Sequence, residues 1–164
     1  MHFPDSPTVR EARDQFLAHN GFVLDSYEDK WVRFDWGPFP VVFPNPNNRR
    51  RTIPLHDLHH IAAGYGTDVR GEAEVAAWEL AAGCHDKWVA WVLNAIAFAT
   101  GLLVAPKRTW AAFLLGRNSR SLYAGEFEES MLDWTMLELR SRLRNVSQLQ
   151  KGAAESRVGA FAIA

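Results

Sequence analysis

The chain has 164 residues, 48% of them apolar, with seven tryptophans and ten phenylalanines; that is ample for one compact core and excludes a globally disordered polymer. Eighteen basic residues against nineteen acidic ones leave a net charge of −1, without the basic excess that counterion-release binding needs, so general nucleic-acid binding is excluded. A lone cysteine, Cys84, cannot form an internal disulfide, and the opening residues lack the layout of a signal or transit peptide. The expectation is a reducing, cytoplasmic setting.

Taken in chain order, Thr8 to His19 predicts a short amphipathic helix, with Val9, Ala12, Phe16 and Leu17 at helical spacing. Trp31 to Pro46 predicts an irregular or extended arm. Pro38, Pro40, Pro44 and Pro46 forbid continuous helix there, while Val32 to Trp36 alternates enough for one brief strand. Pro54 suits a first helical position, Gly64 and Gly66 an exit, and Asp68 the cap of a second helix running to about Gly83; together they predict an αα-hairpin. The uncharged segment Trp88 to Pro106 reads first as a helix buried on all sides. A helix against an apolar ligand cavity or membrane surface, and a true span, stay open as alternatives. Thr109 to Leu115 and Glu126 to Leu149 predict further helices, the second through Leu132, Met136, Leu139, Leu143 and Val146. The expected fold is a mostly α single domain, with residues 1–53 as an N-terminal helix and arm packed on a helical core of residues 54–164.

The chemistry concentrates in His56-Asp57-Leu58-His59-His60 and Glu72. On a helix His56 and His60 lie at i and i+4, and Asp57 lies three before His60, so two imidazoles and a carboxylate can share one side. If the reversal centres near Gly66, Glu72 and His60 are equidistant from it and can face each other across the hairpin, with the small Ala76 opposite His56. His56, Asp57, His60 and Glu72 form a candidate N, N, O, O ligand set for a divalent metal, zinc first, with iron, manganese or cobalt as alternatives. Paired helical histidines also arise by chance, and the bland reading makes these groups a solvated helix surface. His59 is expected to point elsewhere, as a core or surface histidine. Arg117 and Arg120, three apart, are candidates for a fork that binds a substrate carboxylate or a lipid headgroup, with Tyr65 as a further substrate-binding candidate. The run Arg49-Arg50-Arg51 is expected as a solvated loop or a contact to an anionic membrane.

At these residues the sequence resembles the coenzyme Q biosynthesis protein 4 family, whose hallmark is H-D-x-x-H, eleven residues, then Glu. His56-Asp57-Leu58-His59-His60, residues 61–71 and Glu72 meet it without a gap, and Gly64 to Glu72 is similar to the family's G-x-x-T-(N/D)-x-x-G-E stretch. Gly116 to Leu122 resembles its later basic segment, and Asp133-Trp134 with Leu137 to Arg140 its closing helix. The resemblance implies metal-dependent decarboxylation of a polyprenylated hydroxybenzoate in ubiquinone biosynthesis, with C1 hydroxylation as an oxidative variant. It also implies a role in organising other ubiquinone-biosynthesis proteins. Expected partners are the prenylated aromatic substrate, those proteins, a membrane surface at the inner face of the cell membrane, and a second copy as a homodimer, but no nucleic acid. Competing readings are a prenyl-lipid-binding scaffold without turnover and a metal-dependent hydrolase.

Overall fold

The structure is a computed structural model that describes residues 2–22, 31–36 and 39–144. It is mostly α. Helix α1 spans Val9–Asn20, and strands β1 (Trp31–Trp36) and β2 (Phe39–Pro44) form a hairpin. Helices α2 (Asn47–Ala63), α3 (Val69–Ala82), α4 (Trp88–Val104) and α5 (Pro106–Gly116) follow; two 3-10 turns, Leu122–Ala124 and Glu129–Asp133, precede α6 (Met136–Leu143).

The expected α1 forms. Thr8 caps it, its hydroxyl accepting from the Glu11 amide while the Glu11 carboxylate accepts from the Thr8 amide, and Val9, Ala12, Phe16 and Leu17 are its buried face. The arm is more regular than the single strand expected: β1 and β2 pair antiparallel, with Trp31 opposite Pro44 and Trp36 opposite Phe39. A two-stranded ribbon has a free outer edge on each strand, which is where proline, lacking a donor, is tolerated; Pro40 and Pro44 both lie in β2. Pro38 lies outside the described residues.

Three further expectations need correction. Helix α2 does not start at Pro54 but at Asn47, so the boundary drawn between residues 53 and 54 falls within a helix, and Arg49-Arg50-Arg51 forms its opening turns instead of a loop. Pro46 caps it, its carbonyl accepting from the Arg49 and Arg50 amides, and Arg51 reaches forward to Glu126 at 2.6 Å. The proposed helix from Glu126 to Leu149 is broken: Trp134 and Thr135 are extended, and Thr135 makes a capping box with Glu138 that starts α6 afresh. Val146 lies outside the described residues.

The third correction concerns the uncharged segment. It is a helix, but only Val89, Ala90, Asn94 and Gly101 of α4 are buried, and Leu103 is 86% exposed. The helix enclosed on nearly every side is α3, with Gly71, Ala73, Val75, Ala76, Ala77 and Trp78 all buried. Its small residues let neighbours come close. A Cβ on Gly101 would sit 2.5 Å from the Ala73 Cβ, and one on Gly116 would sit 2.2 Å from the Trp78 carbonyl oxygen. Because α4 and α5 cover α3 with these narrow faces, their bulky residues Trp88, Trp91, Ile96, Trp110 and Leu115 turn outward. No helix among the described residues is long and apolar enough to cross a membrane.

The main core joins Phe16, Leu58, Ile61, Trp78, Leu132, Met136 and Leu139, and a smaller one joins Leu55, Cys84, Ala90 and Tyr123. The two described ends of the chain meet on this core: the Val9 amide donates to the Trp134 carbonyl and the Met136 amide to Pro7. Arg140 donates to the carbonyls of Phe3 and Ala62 and to the Asp5 carboxylate.

Candidate metal centre

The site is built where α2 turns into α3. Gly64 ends α2 in the left-handed conformation, φ 77°, which costs glycine nothing, and its amide donates to the His60 carbonyl. Asp68 opens α3 by accepting from the Gly71 amide at 3.1 Å. A Cβ at residue 71 would lie 2.2 Å from the Gly66 oxygen, so this tight turn requires glycine there. The next residue, Glu72, is thereby set in the first turn of α3 against the last two turns of α2.

His56, His60 and Glu72 form a group that could hold a metal ion. The two Nε2 atoms are 3.1 Å apart, His60 Nε2 is 3.4 Å from Glu72 Oε1, and His56 Nε2 is 3.5 Å from Glu72 Oε2. A tetrahedral ion bound at about 2.0–2.1 Å separates its ligand atoms by roughly 3.3 Å, so the three edges already have the right size. The donor chemistry agrees. Glu79 Oε1 lies 2.8 Å from His56 Nδ1, and the Tyr65 carbonyl 3.3 Å from His60 Nδ1. A carboxylate and a carbonyl can only accept, so both rings carry their hydrogen on Nδ1 and turn Nε2 toward the other ring and toward Glu72. Two facing lone pairs beside a carboxylate require a cation between them, either a proton or a metal.

Of the four ligands expected, the structure brings these three together. Asp57, one residue past His56 on α2, is not in the group; it is buried, within the field of Arg49 and of the Tyr123 hydroxyl. A tetrahedral ion held by these three groups would have a fourth position for water or another ligand, which a fourth protein ligand would close. Ala76, expected opposite His56, is buried, and the residue that reaches His56 from α3 is Glu79, which is not among the expected site residues. A carboxylate inside the apolar run Val75 to Leu80, two turns after Glu72, was its available signal.

His59 points away from the three ligands, as expected, into the core between Trp78 and Tyr123. It is nonetheless tied to the site. Its Nδ1 lies 2.7 Å from Glu79 Oε1, and its Nε2 accepts from the Leu122 amide at 2.9 Å, which fixes a neutral ring. Burial lowers its pKa further than Glu79 can raise it.

The electrostatics follow from burial and pairing. Burial alone would push Glu72 up, but hydrogen bonds and charge from His56 and His60 hold it at about 2. The enclosed Glu79 is held well below the usual carboxylate range, burial again being outweighed, here by His56 and His59. For His56 burial opposes the charged form, yet Glu79 and Glu72 raise its pKa well above the ordinary value.

The remaining candidates do not join the cluster. Arg117 and Arg120 are exposed beyond the end of α5, where the Arg120 amide donates to the Leu143 carbonyl; among the described residues no hydrogen bond or ion pair links their side chains to the site. Tyr65 contributes its backbone carbonyl to His60, and burial, then Glu74, pushes its hydroxyl up to about 12. No family model, curated protein or solved structure matches this chain.

Proposed function

We propose that the protein is a metal-dependent decarboxylase of a polyprenylated hydroxybenzoate in ubiquinone biosynthesis. The observation that carries this reading is the three-ligand site of His56, His60 and Glu72, with one coordination position left over, within the motif that resembles the coenzyme Q biosynthesis protein 4 family. His56, His60 and Glu72 would hold the ion, zinc being the first choice because it accepts this mixed N and O set; iron, manganese and cobalt suit it as well. When bound, such an ion supplies Lewis acidity toward an oxygen of the substrate. The chain's own residues orient and exclude. Phe16 stacks on His60 with ring centroids 5.7 Å apart and covers one side of the site. In the simple reaction the ring carboxyl leaves as carbon dioxide and a proton takes its place at C1; in the oxidative variant the carboxyl again leaves as carbon dioxide, dioxygen would supply the hydroxyl oxygen at C1, and an external two-electron reductant with two protons would carry its second oxygen to water.

The outward apolar faces of α4 and α5 support a second reading, a prenyl-lipid-binding scaffold without turnover, peripheral to a membrane and joined to other biosynthetic proteins or a second copy. One experiment separates the two. Protein loaded with zinc, cobalt, manganese or iron is given a prenylated 4-hydroxybenzoate labelled at its carboxyl, and released labelled carbon dioxide is counted for the natural chain and for Glu72→Gln. Release by the natural chain and its loss in the variant support the enzyme. Lipid that binds stoichiometrically with no release for any metal, with or without dioxygen, supports the scaffold.

A further inference from the structure

We infer that Glu79 is the positioning residue of this metal centre: a buried carboxylate that holds His56 with its Nε2 bare toward the cation, itself braced by His59 and Asn94. The inference deepens the metal-centre reading and rests on it.

Glu79 is wholly enclosed on α3, two turns beyond Glu72. Burying a carboxylate is expensive unless its lone pairs are filled. Oε1 takes the Nδ1 hydrogens of His56 at 2.8 Å and His59 at 2.7 Å, and Oε2 takes an amide hydrogen of Asn94, from α4, at 2.7 Å. The Tyr123 hydroxyl is a further hydrogen-bond partner of this carboxylate. The donor that ties it to the site is the distal nitrogen of a metal-ligand histidine. That bond fixes which nitrogen of His56 is free and sets its ring at 90° to that of His60, with centroids 4.7 Å apart. It also raises the basicity of the coordinating nitrogen, the role carboxylates play behind metal-bound histidines generally.

His59 adds rigidity. Its other nitrogen accepts from the Leu122 amide, so the hydrogen-bonded chain runs from the 3-10 turn at Leu122–Ala124 through His59 and Glu79 to His56. Each link has one tautomer available, so the chain can be satisfied in only one way.

The test uses the full chain and cobalt(II), whose visible spectrum reports ligand number and geometry. Glu79→Gln keeps the volume and removes the charge; Asn94 can turn its amide oxygen toward the new NH₂ group, so the fold has a route to accommodate it. Cobalt affinity should fall about 10- to 100-fold in Glu79→Gln, with an altered absorption band, while His19→Ala, on the exposed end of α1, keeps the natural affinity. An unchanged cobalt affinity and spectrum in a folded Glu79→Gln, with only the thermal midpoint lowered, would make Glu79 a structural staple and overturn the proposal. Absence of cobalt binding by the natural chain would instead overturn the metal-centre reading beneath it. Should Glu79→Gln not fold, imidazole nitrogen NMR of the zinc-loaded natural chain decides: His56 should carry hydrogen on Nδ1 and metal on Nε2, and the reverse assignment overturns the proposal.

Discussion

A divalent cation should stabilise this fold, and the effect should depend on Glu72 but not on Asp57. The three ligand-atom separations of 3.1, 3.4 and 3.5 Å lie within a few tenths of an ångström of the roughly 3.3 Å edge of a tetrahedral zinc sphere, so the folded chain meets the ion with little rearrangement. The unfolded chain holds no such arrangement. An ion present at about 100 times its dissociation constant therefore adds about 2.7 kcal/mol to the folded state. For a chain of this size about 1 kcal/mol moves the thermal midpoint by roughly 2–4 °C, which predicts a rise of about 5–11 °C. The assay is thermal unfolding followed by far-ultraviolet circular dichroism, with zinc or cobalt added to metal-stripped protein. Glu72→Gln should abolish most of the rise. Asp57→Asn, even if its baseline midpoint is lower because the residue is buried, should keep the cation-dependent increment. A rise that survives Glu72→Gln but disappears in Asp57→Asn would refute the three-ligand geometry and restore Asp57 as a ligand.

Metal-free protein should be most stable between about pH 4.5 and 6.5. Glu72, lowered from 4.5 to about 2, contributes stability that fades as acid is added through that interval, and His56, raised above 6.5, contributes stability that fades as pH climbs through its raised value; urea midpoints that keep rising from pH 6.5 to 9 would contradict the sign for His56, and midpoints that rise as pH falls from 4.5 to 3 the sign for Glu72. Cys84 is enclosed and burial pushes its thiol up to about 12, so a disulfide reagent at pH 8 should leave folded protein unlabelled and label it stoichiometrically in denaturant; fast labelling of the folded chain would contradict this. Leu103→Lys should change unfolding free energy by no more than about 0.5 kcal/mol, since the side chain is 86% exposed, and a loss of several kcal/mol would return α4 to the core.

Local rules were legible wherever one residue type had one physical use. Val9, Ala12, Phe16 and Leu17 form the buried face of α1, Asp68 caps α3, Gly64 takes the left-handed exit, and the four-residue spacing of His56 and His60 across a turn from Glu72 gives three converging groups that could hold a metal ion. Where two physical situations share one sequence signal, the reading failed. A charge-free helix results whether its apolar residues face a core or remain outward, and α4 is the second case because the small residues of α3, not its own bulk, decide the contact. Proline favours a helix start but does not dictate one: α2 runs through Pro54 because its first turns are secured by the Pro46 carbonyl, Asn47 and Glu126. Glu79 was hidden by its surroundings, since a lone carboxylate in an apolar run gives no hint of which buried donors it will meet. His59 shows the converse: it does point away from the metal-site group, yet it reaches the site through Glu79, so His59→Ala would disturb the carboxylate that holds His56.

The charges of the assembled site select the ion it should take. Glu72 and Glu79 are both ionised at neutral pH, and His59 is neutral, so a metal-free site with a proton on His56 carries one uncompensated negative charge in a largely enclosed setting. Replacing that proton by a divalent cation, with both imidazoles neutral, brings the sum to zero, whereas a monovalent ion leaves a negative charge and a trivalent ion a positive one. Residual charge in a low-dielectric surrounding is costly in either direction. The two smaller distances also favour an ion that binds at about 2.0–2.1 Å over calcium, which needs about 2.3–2.6 Å and six or more oxygens. Zinc and cobalt should therefore raise the thermal midpoint at concentrations where potassium and calcium leave it unchanged, both compared at constant ionic strength. Equal stabilisation by calcium and zinc would mean that the cluster acts as a diffuse acidic surface rather than a coordination site.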